Sequence, residues 1–482
     1  MEQITIDKPL KIDRRPIWQI LVDRTLRYQI LAGLILISVV LFNLDPPRGL
    51  STQGYRALVL FGATVFLWVS GLLPLAATAL LSMVMLPLLG IMNARETYAH
   101  FGNEAVFFIL GAFILAAAMT GSGLSARLAR AMLARFGRTP TRLALTVFLL
   151  CTALSYCMSE HAVAAMMFPV VSEIAASLGL KRGKSRYARL LFMSIAWGCI
   201  IGGIATFLGG ARAPLAASIL REATGLRFSF HEWMIAASTI VLPLIVIGFL
   251  LLLRFFPVDL DSTEGGLRHL NRKRLEAGKM SFNEFMVALV MIITILGWIT
   301  LGERVGLAAI AILASVLLFT FRVITWKSIE EDVNWGIILM YGGSIALASA
   351  MEKSGAASWI VNRGLESFTP SPFVVVAVIS FVAIIMTECI SHAAVVAIFM
   401  PIGLTLSKNM GIDPKVMTLA IALPAGLAYC LPMGTPATAI AYGSGFLKSR
   451  DIILPGAVIM LISWVLFLLS ARFIWPLIGL TI

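Results

Sequence analysis

One eleven-residue pattern occurs twice in this chain. Ser159 to Pro169 and Ser391 to Pro401 lie 232 residues apart (391 minus 159), and when aligned they share Ser, Ala, Val, Ala and Pro. In both, polar or ionisable residues follow the serine directly in otherwise apolar surroundings. The repetition is wider than the motif. At the same spacing Gly111 to Met119 (GAFILAAAM) matches Gly343 to Met351 (GSIALASAM), and Gly123 matches Gly355. A chain that repeats itself over this distance is constrained to two related halves, and its two polar tips are candidates for one shared binding site.

The surroundings of those tips are those of a bilayer. Of 482 residues, 59% are hydrophobic and 13% charged, and the mean hydropathy is +0.93. A water-soluble fold does not carry so few charges, so the chain reads as all-α and integral to a membrane. The basic start (Lys8, Lys11, Arg14, Arg15, Arg24, Arg27) runs into a span too long for a signal peptide, which places the amino terminus in the cytoplasm. The net charge of +13 is concentrated in short connections. That is the positive-inside distribution, and it leaves no reason to invoke nucleic acid. The five cysteines (Cys151, Cys157, Cys199, Cys389, Cys430) show neither metal-ligand nor disulfide spacing and are expected as small buried side chains. No cofactor, metal or nucleotide-binding motif is read, so coupling to ATP has no support.

About 20 apolar residues cross a bilayer. Stretches near 28–45, 54–71, 72–92 and 106–124 return the chain to the cytoplasm, where Leu124 to Arg142 carries Arg127, Arg130, Arg135, Arg138 and Arg142 without an acid. This segment is expected as an amphipathic helix along the inner surface. Residues 143–180 are apolar but are followed by a second basic cluster (Lys181, Arg182, Lys184, Arg186, Arg189), so both flanks lie inside and the segment reads as a re-entrant hairpin with its tip at membrane depth. In 190–220, Gly198, Gly202, Gly203, Gly209, Gly210 and Pro214 surround Thr206 and Arg212, the composition of a broken helix. After a span at 233–253, a polar basic loop (Arg268, Arg272, Lys273, Arg274, Lys279) links the halves.

Spans near 283–301, 305–321 and 335–352 follow. An outer hairpin at 370–410, a second broken helix at 416–447 about Thr435, and a last span at 454–478 then leave the carboxyl terminus outside. The expected architecture has about 11 transmembrane helices and two re-entrant hairpins in two repeats of inverted topology. Its parts are amino-terminal helices (1–105), a first repeat (106–257) with its inner hairpin at 140–180, a loop and linking helices (258–334), and a second repeat (335–482) with its outer hairpin at 370–410.

In these residues the chain resembles the divalent anion/sodium symporters, a family that carries di- and tricarboxylates or sulfate. The resemblance is most specific at AVAAMMFP (162–169), at Thr387-Glu388 before Ser391, at the Gly/Thr/Pro breaks near 202–214 and 434–438, and at Gly443 to Lys448 with Asp451. It implies elevator-type movement of a binding domain against a homodimeric scaffold in a bacterial inner (plasma) membrane. The family's hairpin tips read Ser-Asn-Thr, whose side chains bind substrate carboxylates and whose backbone helps ligate sodium. Here they read Ser159-Glu160-His161 and Ser391-His392-Ala393. The family's Thr-Pro-Pro-Asn after each break is Gly210-Ala211-Arg212-Ala213 in one half and Thr435-Pro436-Ala437-Thr438 in the other.

These departures define the candidate site. Ionisable groups at membrane depth need partners, so Glu160, His161, Arg212, Glu388 and His392 are expected to pair with one another, with water or with a ligand. One reading is a salt-bridge network standing in for bound sodium. In another, Arg212 with His161 or His392 meets an anionic substrate, the guanidinium matching carboxylate or sulfate oxygens. Glu160, His161, Glu388 and His392 are the candidates for carrying a proton or coupling ion. Ser159, Ser391, Thr206, Thr435 and Pro436 complete the substrate-binding set, while His100, His231 and His269 fall in connections and are expected to be solvated.

The function expected is secondary transport of a small anion, by sodium-independent exchange or proton-linked. An alternative is a cation/proton antiporter of the same superfamily using Glu160 and Glu388. A membrane enzyme using Glu160 and His161 as acid and base is the alternative from another class, and the paired half-sites argue against it.

Overall fold

The computed structural model describes residues 17–367, 370–432 and 434–482. Lys8, Lys11, Arg14 and Arg15, on which the cytoplasmic start rests, lie outside the described residues, as do the side chains of Arg24 and Arg27. Every regular element among the described residues is helical. Ala94–Gly121, Phe230–Phe255, Phe282–Thr300, Trp335–Lys353, His392–Met410 and Ser449–Ile478 are long and apolar enough to cross a bilayer.

Where the sequence repeats, the local structure repeats with it. Gly123 (φ 82°) and Gly355 (φ 77°) take the left-handed backbone after the helices Glu104–Gly121 and Trp335–Lys353, and new helices start at Leu124 and Ala356. Thr139 and Ser371 cap Pro140–Ser155 and Pro372–Met386, each of which has Pro at its first position, where the missing N–H costs nothing. Ser159 and Ser391 cap Glu160–Ser177 and His392–Met410, their hydroxyl oxygens accepting from the N–H of Ala162 (3.4 Å) and Ala394 (3.2 Å).

The same spacing extends further toward the amino terminus than residue 106. Leu75–Leu88 and Leu307–Thr320 begin 232 residues apart, and each packs on a helix of the other copy. A Cβ on Gly343 would lie 2.7 Å from that of Ala79, and one on Gly111 would lie 2.7 Å from that of Ala311. Glycine is required at both crossings because the backbones touch.

The helices of the first hairpin have 16 and 18 residues. At 1.5 Å per residue they reach about 24 and 27 Å, short of the roughly 30 Å of hydrocarbon a crossing demands. The first limb packs along Arg186–Gly203, where Gly198 and Gly202 meet the backbone of Phe148 and Thr152. One expectation fails in the linker. Its basic stretch is not a loop but contains the helix Glu264–Glu276, which packs on Leu124–Phe136 and on Glu160–Ser177 with Leu270 buried. Gly265 allows this close approach, since a Cβ there would lie 2.9 Å from the Ser177 carbonyl oxygen.

Candidate functional site

Two helices are interrupted as their glycines and prolines predict. Between Arg186–Gly203 and Arg212–Thr224 the chain is non-helical, and a second break separates the short turn Pro424–Gly426 from Pro436–Gly443. Each break is tied to a hairpin tip. In the first half the Glu160 N–H donates to the Gly209 carbonyl (3.0 Å), and the Thr206 hydroxyl donates to that of Tyr156 (2.8 Å). In the second half Thr387 donates to the Ala425 carbonyl (2.8 Å). The Glu388 carboxylate accepts from the N–H groups of Tyr429 (2.7 Å), Cys430 (2.8 Å) and Leu431 (2.8 Å). Three consecutive amides therefore converge on one buried carboxylate, which satisfies both its charge and the unwound backbone.

The two halves meet at Arg212, which is 2% exposed. Its Nη1 donates to Glu160 Oε1 (3.4 Å) and to His392 Nδ1 (3.2 Å), and His392 Nε2 donates to the Gly434 carbonyl (3.2 Å). With Nε2 of His392 donating to the Gly434 carbonyl, the single lone pair of the imidazole, on Nδ1, is occupied by the guanidinium. Glycines make room for the cluster. A Cβ on Gly203 would lie 2.6 Å from Glu160 Oε2, one on Gly210 would lie 2.6 Å from Arg212 Nη1, and Gly426 leaves no space for one against the Arg212 guanidinium. Glu160 Oε2 and Arg212 Nη2, both against Gly203, are buried without a hydrogen-bond partner in the protein. Tyr341, from the Trp335–Lys353 helix, donates its hydroxyl to the Ala211 carbonyl just before the arginine.

Glu160, Arg212 and His392 are each the first residue of a helix, and Gly434 lies two residues before the helix that begins at Pro436. Three helix amino termini thus begin within one hydrogen-bonded cluster, and a fourth starts two residues beyond the carbonyl that closes it. Each carries partial positive charge at its first turn, beside an ion pair that cancels itself.

Of the expected site residues, Glu160, Arg212 and His392 come together directly. Glu388 serves the second break. Ser159 and Ser391 are half-buried caps; Thr435 is a buried one, accepting from the Thr438 N–H (3.1 Å) and sharing a hydroxyl bond with Thr438 (2.8 Å), with Pro436 at the first position of the helix. His161 is exposed, and its side chain makes no hydrogen bond among the described residues. Gly203 and Gly426, among the glycines of the two breaks, and Thr387, before the second tip, were read in the sequence but not as site residues, and Tyr341 was not singled out. The glycines had a signal in their clustering, while Tyr341 had none, since its partner is 130 residues away.

Three expectations on other residues are corrected. His100 is not solvated but buried, 3.8 Å from Glu222, because it sits where the turn before Glu104 packs under Trp335–Lys353. His269 bonds Glu173 (3.0 Å), since the linker it occupies is a packed helix. Cys389 is exposed, and Cys157 and Cys430 are half-buried, because they lie on the hairpin tips and the second break rather than within helices.

A sequence model of the family described as sodium:sulfate symporter transmembrane region matches residues 25–481. The chain is 30% identical over 475 residues to the sodium-dependent dicarboxylate transporter SdcS of Staphylococcus saprophyticus, with 92% of this chain and 91% of that protein covered. It is 29% identical over 472 residues to SdcS of Staphylococcus aureus strain USA300, with 92% and 90% covered. Among solved structures it shares its fold with the Neisseria gonorrhoeae protein MtrF (TM-score 0.55, 13% identity, 92% of this chain and 94% of that one). The Alcanivorax borkumensis YdaH transporter is similar to it as well (TM-score 0.53, 15% identity, 79% and 88%). Those relatives are carriers and not enzymes, so the acid–base reading of Glu160 and His161 falls away. The chain is a multi-pass integral membrane protein and belongs to the sodium:sulfate symporter family of transporters.

Proposed function

We infer that this transporter exchanges small dianions, dicarboxylates or sulfate-like oxyanions, without sodium. The observation that carries the reading is the buried Arg212, which bridges Glu160 at one tip and His392 at the other. In the family pattern, tip backbones share a sodium ion with the breaks; here a covalently attached cation already lies between tip and break. Its charge is balanced by Glu160, so attraction for the substrate falls to the positive ends of these helices, which favour an anion. The dicarboxylate named for the staphylococcal relatives agrees with that preference. Following the resemblance, hairpins and breaks form the moving unit of an elevator, in two inverted repeats (106–257 and 335–482), within a homodimer that begins in the cytoplasm of a bacterial cell and ends outside.

A second reading has one observation in its favour: exposed and unbonded, His161 is free to take up a proton with the substrate. The antiporter alternative loses support, since Glu160 is paired with Arg212 and Glu388 is engaged by three amides.

The test is uptake of labelled succinate, citrate and sulfate into proteoliposomes under a sodium gradient, a proton gradient, or with unlabelled anion preloaded. Uptake that needs only the preloaded anion is the expected result. Strict sodium dependence sinks the reading, and proton-driven uptake abolished by His161→Ala replaces it with the second.

A further inference from the structure

Away from the ion-pair cluster, a cavity of 710 Å³ lies between the helix Leu124–Phe136 and the first hairpin limb Pro140–Ser155. Arg135, Arg138 and Arg142 line it on either side of the turn at Gly137, and Leu145, Leu149 and Ala153 continue its wall along the limb. From Arg142 to Ala153 that wall runs roughly 16 Å at the helical rise. The groove therefore has a basic end and an apolar end.

None of the three arginines has an acidic partner among the described residues, and 124–142 contains no acid. Arg127 on the same helix is a contrast. It bonds Glu284 (2.7 Å) and the carbonyls of Ala277 (3.0 Å), Gly278 (2.8 Å) and Lys279 (3.1 Å). The second copy supplies an internal comparison. At the same spacing the apolar wall is kept, as Ala377, Phe381 and Ile385, but the arginines become Ser367, Pro370 and Val374. Helix packing alone would make the same demand of both copies. A rule of inner positive charge would put arginines on this copy, but it would not aim three of them into one concave groove with an apolar floor.

We propose that this groove binds an anionic glycerophospholipid, its phosphodiester held by Arg135, Arg138 and Arg142 and an acyl chain laid along Leu145, Leu149 and Ala153. The two walls belong to different helices joined at Gly137. The Thr263 hydroxyl of the linker is shared between the Gly137 (3.0 Å) and Arg138 (3.1 Å) carbonyls of that turn. A lipid spanning both walls braces the angle between surface helix and hairpin.

The experiment is thermal unfolding of the full-length protein in detergent, titrated with dioleoyl phosphatidylglycerol, dioleoyl phosphatidylcholine or inorganic phosphate. Phosphatidylglycerol is expected to raise the midpoint saturably and the other two not. The triple variant Arg135→Gln, Arg138→Gln, Arg142→Gln is expected to raise the half-saturating lipid concentration about tenfold or more. Ala153→Phe, which fills the apolar wall and keeps every charge, is expected to weaken the response similarly, and it decides alone if the triple variant fails to insert. Equal responses to the two lipids, a response to free phosphate, or a phosphatidylglycerol response untouched in both variants overturns the assignment. A midpoint that follows protein concentration and not lipid overturns it too, by placing a second copy of the chain in the groove.

Discussion

Arg212 is held by burial as much as by charge. With its guanidinium surrounded by Gly203, Gly210 and Gly426 and its charge answered by Glu160, neither partner can be removed without stranding the other. Breaking a buried pair from one side typically costs about 3–5 kcal/mol, whereas removing both charges is often nearly neutral. Arg212→Gln should therefore lower stability by about that amount, and Glu160→Gln in the same chain should restore at least half. Thermal unfolding of the solubilised protein measures this, and strictly additive losses would show that the two residues do not act as a pair. Glu388 makes a different demand. A glutamine there keeps one acceptor oxygen and turns an NH₂ toward an amide, leaving at least one of the N–H groups of Tyr429, Cys430 and Leu431 without a partner. Glu388→Gln should cost about 1–3 kcal/mol, read in the same assay.

The helices owe their ends to short side chains. Ser159 and Ser391 each close the first turn of a limb that points into the cluster, so Ser159→Ala and Ser391→Ala should each cost about 1 kcal/mol. A much larger loss at either would indicate that the serine supports more than its cap. The tips were legible because serine acts locally, Ser159 and Ser391 recurring at the repeat spacing as Gly123 and Gly355 do; Pro140 and Pro372 show their role only once the helices they start are seen. The linker helix was not legible, because Gly265 and Gly266 read as loop residues until Ser177 and Ile174 are seen packed against them. The cluster itself was half legible. Its members stood out as charges in apolar sequence, but Arg212 is 52 residues from Glu160 and 180 from His392, and no spacing rule relates positions brought together by tertiary packing alone. The sequence also left open whether Arg212 faces substrate or its neighbours, which depends on the glycine walls around it.

At the scale of the whole chain, the repeated elements carry a prediction about sidedness. If the hairpins enter from opposite faces, the connections that follow them lie on opposite sides. In a background without its cysteines, Lys408→Cys should react with a membrane-impermeant maleimide applied outside intact cells, and Lys184→Cys should react only after permeabilisation; both positions are exposed. Labelling of both from one side would rule out inverted copies.

The pairing of Arg212 with Glu160 also bears on energy conversion. A dissolved ion crosses once and is released, so its gradient can be spent to drive a solute uphill. A guanidinium that is part of the chain returns with every cycle and releases nothing. A carrier built this way performs no net electrical or osmotic work with its own charge, and it runs in either direction with equal ease. On the exchange proposed above, the highest ratio to which it can accumulate its substrate is set by the ratio of the anion that leaves, whatever the sodium gradient across the membrane.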